Sequence, residues 1–292
     1  MPAFELAPYE PADREAYLGL LQEAWGDRAM SGAEFDWWFA RNPTGSLMSV
    51  ARKDGRVVGA AAHSLIRMVV GGEERMAGFS VHAVTHPSAR GLGIFPALEQ
   101  KHEREAAERG AVVALVFANG LTAPIFLGPL GWTEIGRLRV WARPLIGQAP
   151  APAAAARFDD PADSAADWPN HVVRDAEHLN WRFVDSPRGY RVVRTESGHA
   201  VVGRARKRVE IAVLADMVAP EGELRSLVRR AAALSSARAM IALPAPEQRS
   251  IFLSLGFVPA PYTLRLMGKA LTGTLSTDPA AWRLTLGDTD FF

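Results

Sequence analysis

Hydrophobic and polar positions change period several times along the first half of the chain, and each change marks an expected element. Within residues 13–25 the apolar side chains Ala16, Leu20, Leu21 and Ala24 recur at helical spacing, which predicts an opening helix with one buried face. Residues 46–70, SLMSVARKDGRVVGAAAHSLIRMVV, read as two strands joined at Asp54-Gly55, a dipeptide favoured in tight hairpins. Gly71-Gly72 marks another turn before a third strand, with Glu73 and Glu74 solvated at the hairpin tip, and MAGFSVHAVTHP is a further strand that stops at Pro87. SARGLGIFPALEQKHEREAAERG is a loop feeding a helix, with Pro96 in its first turn and Gly110 closing it. AVVALVFA follows as a buried strand, TAPIFLGPLGW as a short helix, and RLRVWARPL as a last strand. The order is two helices, four strands, a helix, a strand, a helix and a strand, and the expected fold class is α/β, as an α+β mixed sheet.

Periodicity lapses at 147–169, where GQAPAPAAAARFDDPADSAADWP reads as a linker rich in Pro, Ala and Asp. On either side of it one pattern recurs. WWFARNPTG at 37–45 and WRFVDSPRG at 181–189 share Trp, Phe, Pro and Gly in one register, at a constant offset. The same offset lays Val57, Val58 and Gly59 over Val201, Val202 and Gly203, while LGW at 130–132 and LGF at 255–257 close each half. Such self-similarity reads as a duplication. The expected organisation is a domain at 1–146, the linker at 147–169 and a related domain at 170–292.

Composition narrows the function classes. The 292 residues are 48% hydrophobic and 22% charged, an ordinary globular balance long enough for two cores. Thirty-three basic against thirty-two acidic residues leave a net charge of +1, a poor match to a nucleic-acid partner. The absence of cysteine excludes disulfides, thiolate metal sites and a cysteine nucleophile. The N-terminus has no apolar targeting segment, and the longest apolar run, 111–118, is too short to span a bilayer, so the expectation is a soluble cytoplasmic protein without a membrane partner. Nothing in the residues sets an oligomeric state.

The chemistry is carried by HPSARGLGIF, residues 86–95, between a strand and a helix. Glycines at 91 and 93 let the backbone curl so that successive N–H groups face one concavity beside the positive end of the helix, a place for a diphosphate. With the preceding strand, the following helix, a strand ending in Asn119 and the late LGW, this segment resembles the acyl-CoA loop of the GNAT superfamily, whose pattern Arg-x-x-Gly-x-(Gly/Ala) is matched by Arg90, Gly93 and Phe95. Phe95 departs from the small residue of the family, so its side chain must turn into the core. The resemblance covers about residues 4–145.

What the resemblance implies is acyl transfer from acetyl-CoA, or another acyl-CoA, as co-substrate. The loop residues Arg90, Gly91, Leu92, Gly93, Ile94 and Phe95 would hold the diphosphate. The strand Val81–Thr85 would pair with the pantetheine arm through Val84 and Thr85, and the Val84 amide would polarise the thioester. Asn119 would bind near the pantetheine, or end its strand as a turn, and Phe126 would flank the arm. The family tyrosine that reprotonates the thiolate is replaced by Leu127. His82 and His86 share a strand face. His82 is the candidate general base, against the alternative of a hydrogen-bonded core histidine; a zinc pair lacks a third ligand, and no metal is expected.

The second half, without an Arg-x-x-Gly-x-Gly loop, is expected to be a degenerate GNAT-like copy that does not hold CoA. Arg204, Arg206 and Arg208 alternate onto one strand face, either solvated or available to an acidic group. Trp37, Trp38 and Trp181 are expected core anchors, and the terminal TDFF either docks or frays. The function expected is transfer of an acetyl or short acyl group to a primary amine of a small molecule by direct attack. The alternatives are an aminoacyl or long-chain acyl transferase and a CoA-binding regulator without turnover.

Overall fold

The computed structural model describes residues 3–145, 157–159, 168–206 and 210–290. Its contacts divide the chain into two compact units, the first of Met1–Met68, Arg75–Ile135 and Leu266–Thr277, the second of Val69–Glu74, Gly136–Arg265 and Asp278–Phe292. The units interleave along the sequence, so the division is not a single cut near residue 147. Within the expected linker, Phe158 is 2% exposed, and its N–H and carbonyl pair with the Asn180 carboxamide at 2.8 Å each; residues 146–156 and 160–167 lie outside the described residues.

The first unit runs β1 (Glu5–Pro8), α1 (Arg14–Trp25), α2 (Gly32–Phe35) continuing into a π-helical turn (Asp36–Ala40), β2 (Ser46–Lys53), β3 (Arg56–Val70), β4 (Glu73–Thr85), α3 (Ile94–Glu108), β5 (Ala111–Ala118), α4 (Ala123–Leu127) and the start of β6 (Thr133–Pro144). β1, β2 and β3 pair antiparallel and β4 with β5 parallel, which makes the sheet mixed. Asp54 and Gly55 sit at φ of 51° and 73°, the two positive angles of a tight hairpin, as their sequence predicts. Two expectations change. β1 has no counterpart among the expected elements, and the expected third and fourth strands are one, because Glu73, Glu74 and Arg75 contain no turn former to interrupt β4.

The second unit continues β6 and adds β7 (Asn170–Val172), α5 (Ala176–Leu179) with its own π-helical turn (Asn180–Val184), β8 (Arg191–Arg194), β9 (His199–Arg206), β10 (Glu210–Val218), α6 (Glu221–Ala233), β11 (Ala239–Ala242), α7 (Arg249–Ser254), the start of β12 (Val258–Ala270), whose residues from Leu266 on belong to the first unit, and β13 (Trp282–Arg283). Its strands follow the order β6, β11, β10, β9, β8, with β10 and β11 parallel and the others antiparallel. Leu224, Leu227 and Val228 of α6 and Phe252 of α7 pack with Trp141, Leu214, Met240 and Phe257 in one core.

The offset between the two aromatic motifs holds in the backbone. Ser31 caps α2 and Asp175 caps α5, each side chain accepting the N–H three residues on; Gly32–Phe35 corresponds to Ala176–Leu179, and the π-helical turns Asp36–Ala40 and Asn180–Val184 coincide at the same spacing. Trp37, Trp38, Phe39, Trp181 and Phe183 on those turns are all buried, as core anchors require. Arg204 is exposed and 3.7 Å from Glu210, which favours the solvated reading of that strand face; Arg208 and the Arg206 side chain lie outside the described residues, as do Phe291 and Phe292. No helix among the described residues is long and apolar enough to cross a membrane.

Candidate active site

β4 and β5 pair from Met76 and Ala111 to Phe79 and Leu115, and there the ladder stops. Both strands run on, β4 to Thr85 and β5 to Ala118, so the sheet opens between their C-terminal ends. Beyond the fork, His82 takes φ of 51°, a left-handed conformation inside a strand that costs a non-glycine residue about 1–3 kcal/mol. The surroundings hold it: the Tyr17 hydroxyl donates to the His82 carbonyl at 3.0 Å, and the ring lies 5.6–6.0 Å from the rings of Trp25, Trp38 and Phe39. Burial first, then the negative charge of Glu99, pushes the Tyr17 phenol well above its ordinary range, so it stays a protonated donor.

After β4 the chain curls. His86 caps a short turn by accepting the Ser88 N–H at 3.2 Å, Arg90 is extended, and Gly91 and Gly93 take φ of 78° and 79° on either side of Leu92. Only glycine adopts these angles without strain, and no atom lies within 4 Å of the place a Cβ would occupy at either position. No acceptor within the described residues is found for the main-chain amides of Gly91, Leu92, Gly93, Ile94 or Phe95. Gly91, Leu92 and Gly93 are exposed, and α3 begins at Ile94 with no acidic side chain in its first turn. Five N–H groups without an acceptor among the described residues, the positive end of a helix of 15 residues and the exposed Arg90 thus lie together along this turn, a combination that favours negative charge. The turn is open and its amides are unspent, as a diphosphate requires.

Packing fixes this geometry from behind. Ile94 lies over Gly59 of β3, where a Cβ would come within 2.5 Å of its Cγ2. Phe95 turns inward onto the edge of Phe126, ring centroids 5.5 Å apart, and Phe126 rests on Trp132 at 4.7 Å. The Trp132 indole donates to the Glu103 carboxylate at 2.7 Å, and Lys269 donates to the same carboxylate at 2.6 Å. One turn earlier the fully buried Glu99 accepts from Ser80 at 2.9 Å and lies 2.8 Å from His63 Nε2. α3 is thereby pinned to β3, β4 and the LGW segment by charge-assisted bonds. Neighbouring His102 reaches Ser49 at 3.0 Å, and burial, then His63 and Lys101, lowers its pKa well below the usual histidine value.

Residues 5–135 match the family model described as an acetyltransferase (GNAT) domain. The chain carries a GNAT domain.

Solved structures extend the likeness in fold. The chain resembles a probable N-acyltransferase of unknown function from Enterococcus faecalis, with TM-score 0.68 and 10% identity over 93% of this chain and 73% of that one. It also resembles a GCN5-related N-acetyltransferase from Kribbella flavida, with TM-score 0.64 and 15% identity over 92% and 72%. The Saccharomyces cerevisiae N-myristoyltransferase with bound myristoyl-CoA matches with TM-score 0.65 and 14% identity over 92% and 83%. At these identities the likeness establishes the fold alone. No curated protein matches the chain.

Within the GNAT domain the residues singled out from sequence sit as follows. Val84 is 7% exposed and Thr85 half-buried at the free end of β4, beside the fork. The Asn119 carboxamide oxygen is engaged by the Leu121 and Thr122 N–H groups at 2.9 and 3.0 Å, so that oxygen ends the strand as a turn, while its exposed NH2 has no partner among the described residues. Phe126 is 1% exposed and meets the Phe95 ring. Leu127, 42% exposed, occupies the position of the family tyrosine. His86 is half-exposed, 3.4 Å from the Glu23 carboxylate. Tyr17, Glu99 and Glu103 were not among the residues the sequence singles out; Tyr17 shows there only as one more position on the opening helix.

Proposed function

We propose that the first unit is an acyl-CoA-dependent N-acyltransferase that moves an acetyl or other short acyl group to a primary amine of a small molecule by direct attack. The observation that carries this reading is the row of five unspent amides, Gly91 to Phe95, at the start of α3 beside the fork of β4 and β5. In this reading Arg90 and those amides hold the diphosphate, the pantetheine arm runs along Val84 and Thr85, and the Asn119 NH2 donates to it. The amine nitrogen attacks the thioester carbonyl, the C–N bond forms as the C–S bond breaks, and the thiolate leaves with the electron pair. The Val84 N–H faces the charge that develops on the carbonyl oxygen. His82 receives the ammonium proton, and Leu127 leaves the thiolate to depart without an acid.

The second unit, in this reading, is a degenerate copy of the same fold, with 1–146 and 170–292 as the ancestral halves; the constant offset between their caps and π-helical turns supports it. The setting proposed is the cytoplasm. A longer acyl donor is a second possibility, supported by the resemblance in fold to an N-myristoyltransferase. A CoA-binding regulator without turnover is a third, supported by the exposed Leu127 in place of a proton donor. Release of free thiol from acetyl-CoA, measured across a panel of amines, aminoglycosides and peptides, separates them. Amine-dependent thiol release is the expected result, tight CoA binding without release would favour the regulator, and failure to bind any acyl-CoA would end all three readings.

A further inference from the structure

The second unit contains a cavity of about 210 Å³ that the acyl-transfer reading does not use. It lies where β10 and β11 part. Their parallel ladder ends at Val213 and Ile241, and β10 runs on to Val218, so Met217 and Val218 at its free end, Leu224 of α6 and Ile251 of α7 supply apolar wall. Arg174, Arg283 and Thr285 supply buried polar wall, and Glu221 and Glu247 stand exposed among the lining residues.

The two arginines differ in how their charge is met. Arg174 donates to Asp216 at 2.9 Å, to Asp288 at 2.9 Å and to the Val172 carbonyl at 2.9 Å, which satisfies its guanidinium with two carboxylates. Arg283 is 8% exposed, has no carboxylate within 4.0 Å among the described residues, and makes one long hydrogen bond, to Gln248 Oε1 at 3.3 Å. Burial, and then the like charge of Arg174, lowers its pKa. Asp216, Glu247 and Asp288 oppose that shift from beyond ion-pair distance, so the buried guanidinium has no direct carboxylate contact, and a carboxylate entering the cavity would supply one in bidentate geometry. A cavity of this size is below the range of drug-sized sites and admits a small metabolite.

We propose that this cavity is a binding site for a small apolar amino acid, its carboxylate on Arg283, its ammonium toward Glu247 and Glu221, and its side chain against Met217, Val218, Leu224 and Ile251. The inference is independent of turnover in the first unit, and its readout is binding, so its failure and that of the acyltransferase reading are distinguishable. The probes are L-leucine, 4-methylpentanoate, which lacks the amine, 3-methylbutylamine, which lacks the carboxylate, and inorganic phosphate, each titrated by calorimetry at fixed ionic strength. Leucine is expected to bind saturably, 4-methylpentanoate about tenfold more weakly and the amine not at all, since the carboxylate makes the bidentate contact to Arg283. R283Q should abolish leucine binding without lowering the melting temperature of the free protein, because it removes a cation that has no carboxylate partner. R283K, which keeps the charge and loses the fork, should weaken leucine about tenfold. E247Q should weaken leucine and leave 4-methylpentanoate unchanged. Leucine binding that survives R283Q, phosphate binding without leucine binding, or no binding by any probe would overturn the proposal.

Discussion

From the capped helix and its π-helical turn onward, both units run through three strands, a helix, a strand, a helix and a strand, and they differ most where a strand hands over to a helix. In the first, eight residues, His86–Gly93, separate β4 from α3, two glycines there take positive φ, and the first helical turn carries no carboxylate. In the second, only Ala219 and Pro220 separate β10 from α6, and Glu221 and Glu223 occupy the first turn. A helix N-terminus carries about half a positive charge. The second unit answers that charge with its own side chains, and the first does not; in the proposed reading a ligand answers it there. A parallel pair that parts toward its C-terminal ends occurs in both, so the two units differ in the length of the loop that follows rather than in the pair itself.

The sharpest way to break this contrast is to close the first loop. Gly93→Val forces a β-branched residue to φ near 79° and disturbs amides on both sides, yet nothing lies within 4 Å of the new Cβ. Losing two charge-assisted amide bonds should weaken CoA at least 100-fold, at about 1.5–3 kcal/mol each. The strain of about 1–2 kcal/mol in an exposed loop should lower the melting temperature by a few degrees at most. Calorimetry with CoA and a thermal melt check both; undiminished affinity would remove the loop from the site.

A middle-sized effect comes from two glycines related by the same sequence offset as the two aromatic segments. A Cβ on Gly59 meets Ile94 Cγ2 at 2.5 Å, and one on Gly203 meets Tyr190 Cε1 at 2.6 Å. Each alanine variant should lose about 1–3 kcal/mol through overpacking. Because Ile94 is the first residue of α3, Gly59→Ala should also weaken CoA several-fold, whereas Gly203→Ala should leave CoA affinity unchanged. Equal effects of the two on CoA would show that the contacts of Ile94 do not aim the loop.

The same contrast separates what could be read from residues alone from what could not. The glycine turn and the matching register of the two aromatic segments were legible because each rests on local chemistry: positive φ at Gly91 and Gly93, and cap, turn and aromatic residues at fixed spacing. β1 was not, since four residues ending in Pro8 carry no alternation to count. The strained turn at His82 was hidden too, because what holds it is a hydroxyl on Tyr17, far away along the chain. Arg174, Asp216 and Asp288 are likewise joined only by the fold, which also buries Arg283 with one long hydrogen bond and no carboxylate within 4.0 Å among the described residues. Phe95 turns into the core as expected, against the buried Phe126 ring. Asn119, open in the sequence between a ligand contact and a turn, does both jobs only if its exposed NH2 reaches the pantetheine.

The smallest effect is the most direct test of common descent in the two halves. Ser31 and Asp175 occupy one structural position, each accepting the N–H of the third residue of its helix, Glu34 and His178. Replacing either by alanine leaves that amide without its partner and should cost about 0.5–2 kcal/mol. The two losses should add in the double variant, because the caps share no partner. Ser31 has a second tie, since the Glu34 carboxylate accepts its N–H at 2.8 Å, so Ser31→Ala keeps half of its reciprocal pair and should fall at the lower end of the range. Asp175→Ala, with a charge lost from the helix start as well, should fall at the upper end. Urea melts of the two single variants decide the order, and a larger loss at Ser31 would mean that the two caps no longer do the same work.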